Sequence, residues 1–254
     1  MELGLEDRRV LVTGASRGIG RTIAEMYARE GAALAICARN AESVREAESE
    51  LRAAGAKVYA EAVDVSDPTA LRGFVSAAAA AMDGLDVVVS NASPGSVTGD
   101  DAWEISARGD LRALAILAEA ATPYLEKSDM ASIVAISSTS AFDTDFPSGP
   151  TAFAAMKAAI LQHAGALARS LAPKGIRVNT VSPGPILFEG GAWDAVRSSR
   201  PEVFDKVLDR LPLGRFGRRE EVADAVAFLT SARASYCTGV NLVVDGGMLS
   251  RVQH

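Results

Sequence analysis

Phe153 and Lys157 stand four residues apart in TAFAAMKAAI, residues 151 to 160, an alanine-rich stretch with helical period. Four residues is about one turn, so both side chains project from one face of the helix. An ammonium one turn from a phenol would make a proton-transfer pair, because a nearby positive charge favours phenolate. The ring at 153 carries no hydroxyl. Half of that pair is missing.

A second stretch able to do chemistry is TGASRGIG, residues 13 to 20, which runs from an apolar segment into a helix expected to begin near Ile19. Gly14, Gly18 and Gly20 have the spacing that lets a backbone turn tightly, approach a pyrophosphate and pack a helix on a strand. Ser16, Arg17 and Ile19 complete the turn as cofactor-binding candidates, and the helix start offers unpaired N–H groups and partial positive charge to an anion. At the end of the second apolar segment, where a carboxylate would grip the ribose 2′-hydroxyl of NAD, the chain reads ICARN. Arg39 stands there, and with Arg17 it could bracket a 2′-phosphate. NADP is therefore expected, with NAD the lesser candidate.

Positioning these groups takes a particular order of elements. Strand candidates fall at 9–14, 33–38, 57–64, 85–92, 131–138, 176–184 and 241–247, with most of the intervening segments long enough for a crossover helix. Such alternation favours parallel strands, and near-continuous apolar runs favour a sheet covered on both faces. The expectation is an α/β fold: one doubly wound parallel sheet in a single domain over residues 1–254. The alanine run at 76–82 reads as a packed helix, since alanine propagates helices best and Leu71, Phe74, Val75 and Met82 supply an apolar stripe.

Composition excludes several classes. A net charge of −6 argues against a nucleic-acid partner, and no apolar run is long enough to span a bilayer. Cys37 and Cys237 lie far apart in apolar, strand-like runs and read as buried thiols in a reducing cytoplasm. The opening residues MELGLEDRRV do not have the pattern of a signal peptide. His163 reads as a helix-surface or interface residue and His254 is the last residue, so no metal site is expected.

Taken together, TGASRGIG, Asp64-Val65, SNAS at 90–93, ISS at 136–138, AAMKAA around Lys157, IRVNTVSPG at 176–184 and VVDGG at 243–247 resemble the short-chain dehydrogenase/reductase family, in particular its 3-oxoacyl-ACP reductase-like members. The resemblance spans nearly the whole chain. It implies a seven-stranded Rossmann sheet, a nicotinamide cofactor, a small-molecule carbonyl or alcohol substrate and a homotetramer or homodimer, with subunit contacts through the helix at 152–172 and the segment near VVDGG. It also implies that Asp64 and Val65 hold the adenine, that Asn91 and Ala92 line the ribose, and that Pro183, Gly184 and Ile186 shape the nicotinamide pocket. A threonine often follows this proline-glycine pair, and Phe188 stands about there.

In the family a serine holds the substrate carbonyl, a tyrosine moves the proton, a lysine assists the tyrosine and binds the ribose, and an asparagine completes a water-linked path. By resemblance Lys157 is kept and Ser138 is the preferred serine, with Ser140 its rival. Phe153 takes the tyrosine position and Asp110 the asparagine position, either pairing with Arg108 or Arg112 or lying buried beside Lys157. Three readings follow: a tyrosine-to-phenylalanine variant of an ordinary reductase, an enzyme with a substitute proton relay or non-redox chemistry, and a binding-only sensor or scaffold. Residues of about 185–213 would cover the substrate, and Phe188, Trp193, Val196 and Phe204 there suit an apolar or ring-bearing compound or a subunit contact.

Overall fold

The structure, a computed structural model, describes residues 2–250. His254 lies outside them. Short apolar runs form Arg9–Thr13 (β1), Ala33–Ala38 (β2), Val58–Ala62 (β3), Val87–Ser90 (β4), Ser132–Ile136 (β5), Arg177–Pro183 (β6) and Asn241–Val244 (β7). All pair in parallel in the order β3-β2-β1-β4-β5-β6-β7. Chain order reverses beside β1, and open α/β sheets bind ligands at that switch point, beyond the carboxyl ends of the strands.

Successive strand residues face opposite sides. Val10, Val12, Leu34 and Ile36 face one core, with Ile23 and Tyr27 of Gly18–Arg29 (α1) and Val222 and Val226 of Arg219–Thr230 (α9). Leu11, Ala35, Cys37 and Val88 face the other, with Phe74 of Pro68–Met82 (α3), Leu117 of Ala113–Leu125 (α5) and Ala168 of Ala152–Leu171 (α6). Helix starts are fixed locally. Asn40 Oδ1 accepts from Ser43 N–H at the head of Ala41–Ala53 (α2), Asp67 Oδ1 caps α3 behind Pro68, and Thr151 Oγ1 accepts from Ala154 N–H at the head of α6.

Three sequence expectations need adjusting. The strand expected at 85–92 is shorter, because Asn91 and Ala92 turn their N–H groups to Thr13 Oγ1 instead of a neighbouring strand. The helix expected near Ile19 starts at Gly18. Cys237 lies beyond the Ala232–Ala234 turn, half-buried and outside any strand, whereas Cys37 is buried in β2 and burial pushes its thiol up to about 12.

The helix before α5 is not uniform. Ala102–Ser106 (α4) passes into a π-helical segment, Ala107–Arg112, before α5 begins. Such wide turns are uncommon and gather at functional sites. Ala192–Ser199 (α7) and Pro201–Leu208 (α8) follow β6, and α8 buries only Val207. No helix among the described residues is long and apolar enough to cross a membrane.

Candidate functional site

Beyond the ends of β1, β2 and β4 opens a crevice of about 780 Å³. Its walls include Gly14, Ser16, Arg17, Gly18, Arg39, Asp64, Val65, Asn91 and Ala92, nine of the cofactor-binding candidates. Gly14 has φ +68 and an added Cβ would lie 2.8 Å from Ala92 Cα; a Cβ on Gly20 would collide with Asn91 Nδ2 and Gly14 O. Gly20 and Ile19 lie behind the turn rather than in its lining, Gly20 buried and Ile19 packed on the core. Asn91 fastens the turn from across the switch point, donating from Nδ2 to Thr13 O at 3.0 Å and Gly14 O at 3.1 Å.

The turn suits an anion. Arg17 precedes α1 with extended backbone and gives it no side-chain cap, so the first-turn N–H groups stay available. Arg17 and Arg39 are both exposed, and among the described residues neither is paired with a carboxylate. These features, with the Cβ-free cradle at Gly14 and Gly20, fit a dinucleotide phosphate.

A second group lies on the other side of Gly109, which also lines the crevice. Lys157 is buried in α6, and its Nζ donates to Asp110 Oδ1 at 2.9 Å and to Ile136 O at 3.1 Å. Of the expected alternatives for Asp110, the buried one holds: its side chain is 0% exposed, while Arg108 pairs with Glu104. Asp110 Oδ2 and Ser106 Oγ are buried without a hydrogen-bond partner. Phe153 is half-buried, its ring centroid 5.5 Å from Lys157 Nζ. Ser138 Oγ accepts from Ser140 N–H at 3.1 Å, and Ser140 Oγ accepts from Ser148 Oγ at 3.1 Å. Ser137 Oγ donates to Lys157 O at 2.8 Å, tying the end of β5 to α6.

Pro183 ends β6, Gly184 N–H donates to Val244 O at 2.9 Å, and a Cβ on Gly184 would lie 2.8 Å from Asp245 Cα. Ile186 is buried and bridges to Gly217. None of these three lines the crevice, but Phe188 does. Trp193 and Phe204 are turned toward Phe216, with ring centroids at 5.3 and 4.3 Å, and so form the small core of the α7–α8 segment. Among the described residues no three His, Cys, Asp or Glu side chains gather as metal ligands would.

A family model described as enoyl-(acyl carrier protein) reductase matches residues 14–249. Isoepoxydon dehydrogenase patN of Penicillium expansum is 38% identical over 249 residues, 96% of either chain. The 3-oxoacyl-[acyl-carrier-protein] reductase FabG of Staphylococcus aureus is 32% identical over 250 residues, 95% of this chain and 98% of the relative. The chain belongs to the short-chain dehydrogenase/reductase family. Among solved structures, L-sorbose reductase from Gluconobacter frateurii, complexed with NADPH and L-sorbose, superposes with a TM-score of 0.89 at 29% identity, covering 99% of this chain and 100% of that one. The fold is the family's, and with relatives named dehydrogenases and reductases this short-chain dehydrogenase/reductase is an oxidoreductase.

Sequence reasoning missed part of the lining. Pro94, Ile105, Arg108 and the Gly190-Gly191 pair also reach the crevice. Position just past a strand end could have flagged Pro94. No local signal marks Arg108, whose approach depends on the π-helical segment.

Proposed function

We propose that this chain binds NADP(H) in the crevice and interconverts ketones and secondary alcohols, with a proton step that lacks the usual phenol. The observation that supports it most is the crevice itself: a Cβ-free turn at an uncapped helix start, flanked by Arg17 and Arg39. The two guanidiniums suit the 2′-phosphate that distinguishes NADP from NAD. Asp64 and Val65 would border the adenine, Asn91 and Ala92 the ribose, and Pro183, Gly184 and Ile186 the nicotinamide end. Bound there, the cofactor supplies or accepts the hydride.

This chain's residues do the rest. Ser138 accepts from Ser140 N–H and keeps its own proton to donate to a carbonyl oxygen. Lys157, tethered by its hydrogen bond to Asp110, would bind the ribose hydroxyls. Phe153 fills the space of a proton donor without being one. Positioned acid–base catalysis typically contributes about 10² to 10⁴ in rate, so turnover of the chain as it stands is slow. A binding-only protein is the second reading, favoured by the commitment of Lys157 to Asp110. Residues 185–213 would cover an apolar or ring-bearing substrate. The half-exposed edge strand β7, with Tyr236 and Val240 exposed beside it, would meet a second copy in a homotetramer or homodimer, in a reducing cytoplasm.

The test compares the chain with its Phe153→Tyr variant for NADPH oxidation over a ketone panel, together with NADPH and NADH affinities. The variant should gain about 10² to 10⁴ in rate, and NADPH should bind more tightly than NADH. If NADPH binds tightly and neither version turns over, the binding-only reading replaces this one. Tighter binding of NADH would remove the role given to Arg17 and Arg39.

A further inference from the structure

The ring of Phe188 is seated between two glycines on different walls of the crevice. A Cβ on Gly18 would lie 3.2 Å from Phe188 Cζ, and one on Gly191 would lie 2.9 Å from the same atom. Gly18 is the first residue of α1, and Gly191 is the residue immediately before α7. Gly191 N–H donates to Phe188 O at 3.0 Å, closing a tight turn through Gly190 at φ +70. On a further side the Arg219 guanidinium of α9 stands 5.2 Å from the ring centroid. One side chain thus touches the phosphate turn, the head of α7 and the head of α9.

The segment that begins at Gly191 is thinly anchored. No residue of α7 is fully buried. Trp193 and Phe204 hold its far side against Phe216, and Phe188 holds the side next to the crevice. Elements with so few buried contacts open at low free-energy cost.

We propose that Phe188 is a positioning residue that couples occupancy of the phosphate turn to closure of α7 and α8. The inference rests on the reading that NADP(H) fills the crevice. Phosphates held at the first turn of α1 would confine the ring against Gly18, and the ring would confine Gly191 and with it the start of α7. Coupling of this kind is reciprocal: a nucleotide that holds α7 down is itself held more tightly when α7 is down. A small hydroxyl side chain at 188 could bond to the nucleotide, but it could not fill the gap between the two glycines.

The experiment is limited trypsin cleavage after Arg197, an exposed residue within α7, followed by mass spectrometry with and without saturating NADP⁺. A separate fluorescence titration measures nucleotide binding. NADP⁺ should slow cleavage of the wild-type chain by about tenfold, within the usual span of coupling between sites. In Phe188→Ala the nucleotide should still bind while protection falls below about twofold, and Phe188→Leu, which keeps apolar bulk and guards against a folding failure, should be intermediate. Equal protection in wild type and Phe188→Ala would overturn the proposal. So would a nucleotide-saturated wild-type chain cut as fast as the free one. A wild-type chain that binds no NADP⁺ would instead remove the cofactor reading, and this inference with it.

Discussion

Asp110 and Lys157 form an ion pair with side chains 0% and 4% exposed, so neither charge has water to fall back on. Removing one partner of such a pair leaves the other buried and uncompensated, which typically costs about 3 to 5 kcal/mol, whereas replacing both by apolar residues is much milder. Asp110→Ala should therefore lower the urea-unfolding free energy by about 3 to 5 kcal/mol, and Asp110→Leu with Lys157→Met should recover most of that loss. A single-variant loss below about 1 kcal/mol would mean that Lys157 Nζ finds another partner or reaches solvent. The pair was legible only as one of two alternatives from family position: the sequence places an acidic residue where an amide is expected, free to pair with Arg108 or Arg112 or to lie beside the lysine. Its geometry was not legible, because residues 47 apart meet only through the packing of α6 on the π-helical segment. Phe188 was noticed as a replacement for threonine, but its seat between Gly18 and Gly191 depends on a turn that no local pattern announces.

The elements were easier to read than their joints. The five central strands are short, largely apolar runs buried on both faces, so composition and length suffice for them, while the edge strands β3 and β7 are only partly buried. The π-helical segment escaped because its register is set from outside. A Cβ on Gly109 would lie 2.5 Å from Pro94 Cγ, a contact between distant segments. The joint of β1 with α1 makes a sharper test. Gly20 is helical and α1 would accept alanine there on propensity alone, but a Cβ would collide with Gly14 O and Asn91 Nδ2. Overpacking of this kind costs about 1 to 3 kcal/mol. Gly20→Ala should lose stability by that amount and weaken NADPH binding by at least about tenfold, or about 1.4 kcal/mol, because Gly14 must move. The control is Gly73→Ala in α3, where nothing lies within 4 Å of the added Cβ. It should stabilise by about 0.5 to 1 kcal/mol with nucleotide affinity unchanged. Equal effects of the two substitutions in calorimetry and titration would show that the turn tolerates displacement.

Across the whole molecule, binding and anchoring lie at opposite ends of the sheet. The crevice opens beyond the carboxyl ends of the strands, while Asp86 ties their starts together. Asp86 Oδ2 accepts from Arg9 N–H and Nε–H at 2.8 Å each, and Oδ1 accepts from Arg9 Nη2 at 2.7 Å and Ser128 Oγ at 2.6 Å. Its own carbonyl accepts from Ser132 N–H, so β1, β4 and β5 meet at one residue. Burial alone would raise the carboxyl pKa, but the hydrogen bonds from Arg9 and Ser128 outweigh it and hold Asp86 below its ordinary value. A depressed folded-state pKa gives stability that is fully present above the unfolded value, about 3.9, and is lost as pH falls through the folded value. Glu221 behaves likewise: hydrogen bonds from Arg215 and the Arg218 backbone lower it to about 2, so its share is present above the unfolded value and lost as pH falls toward about 2. Asp86→Asn should therefore cost about 1.5 to 3 kcal/mol at pH 7, the worth of hydrogen bonds to a charged group, and progressively less as pH drops below about 4. NADPH affinity at pH 7 should stay at the wild-type value, since no bond of Asp86 reaches the crevice. Urea unfolding from pH 7 to pH 3, with a nucleotide titration at pH 7, checks both halves. A stability difference that does not narrow with acid would remove the charge from this account. A matching loss of affinity would show that the two ends of the sheet are mechanically coupled.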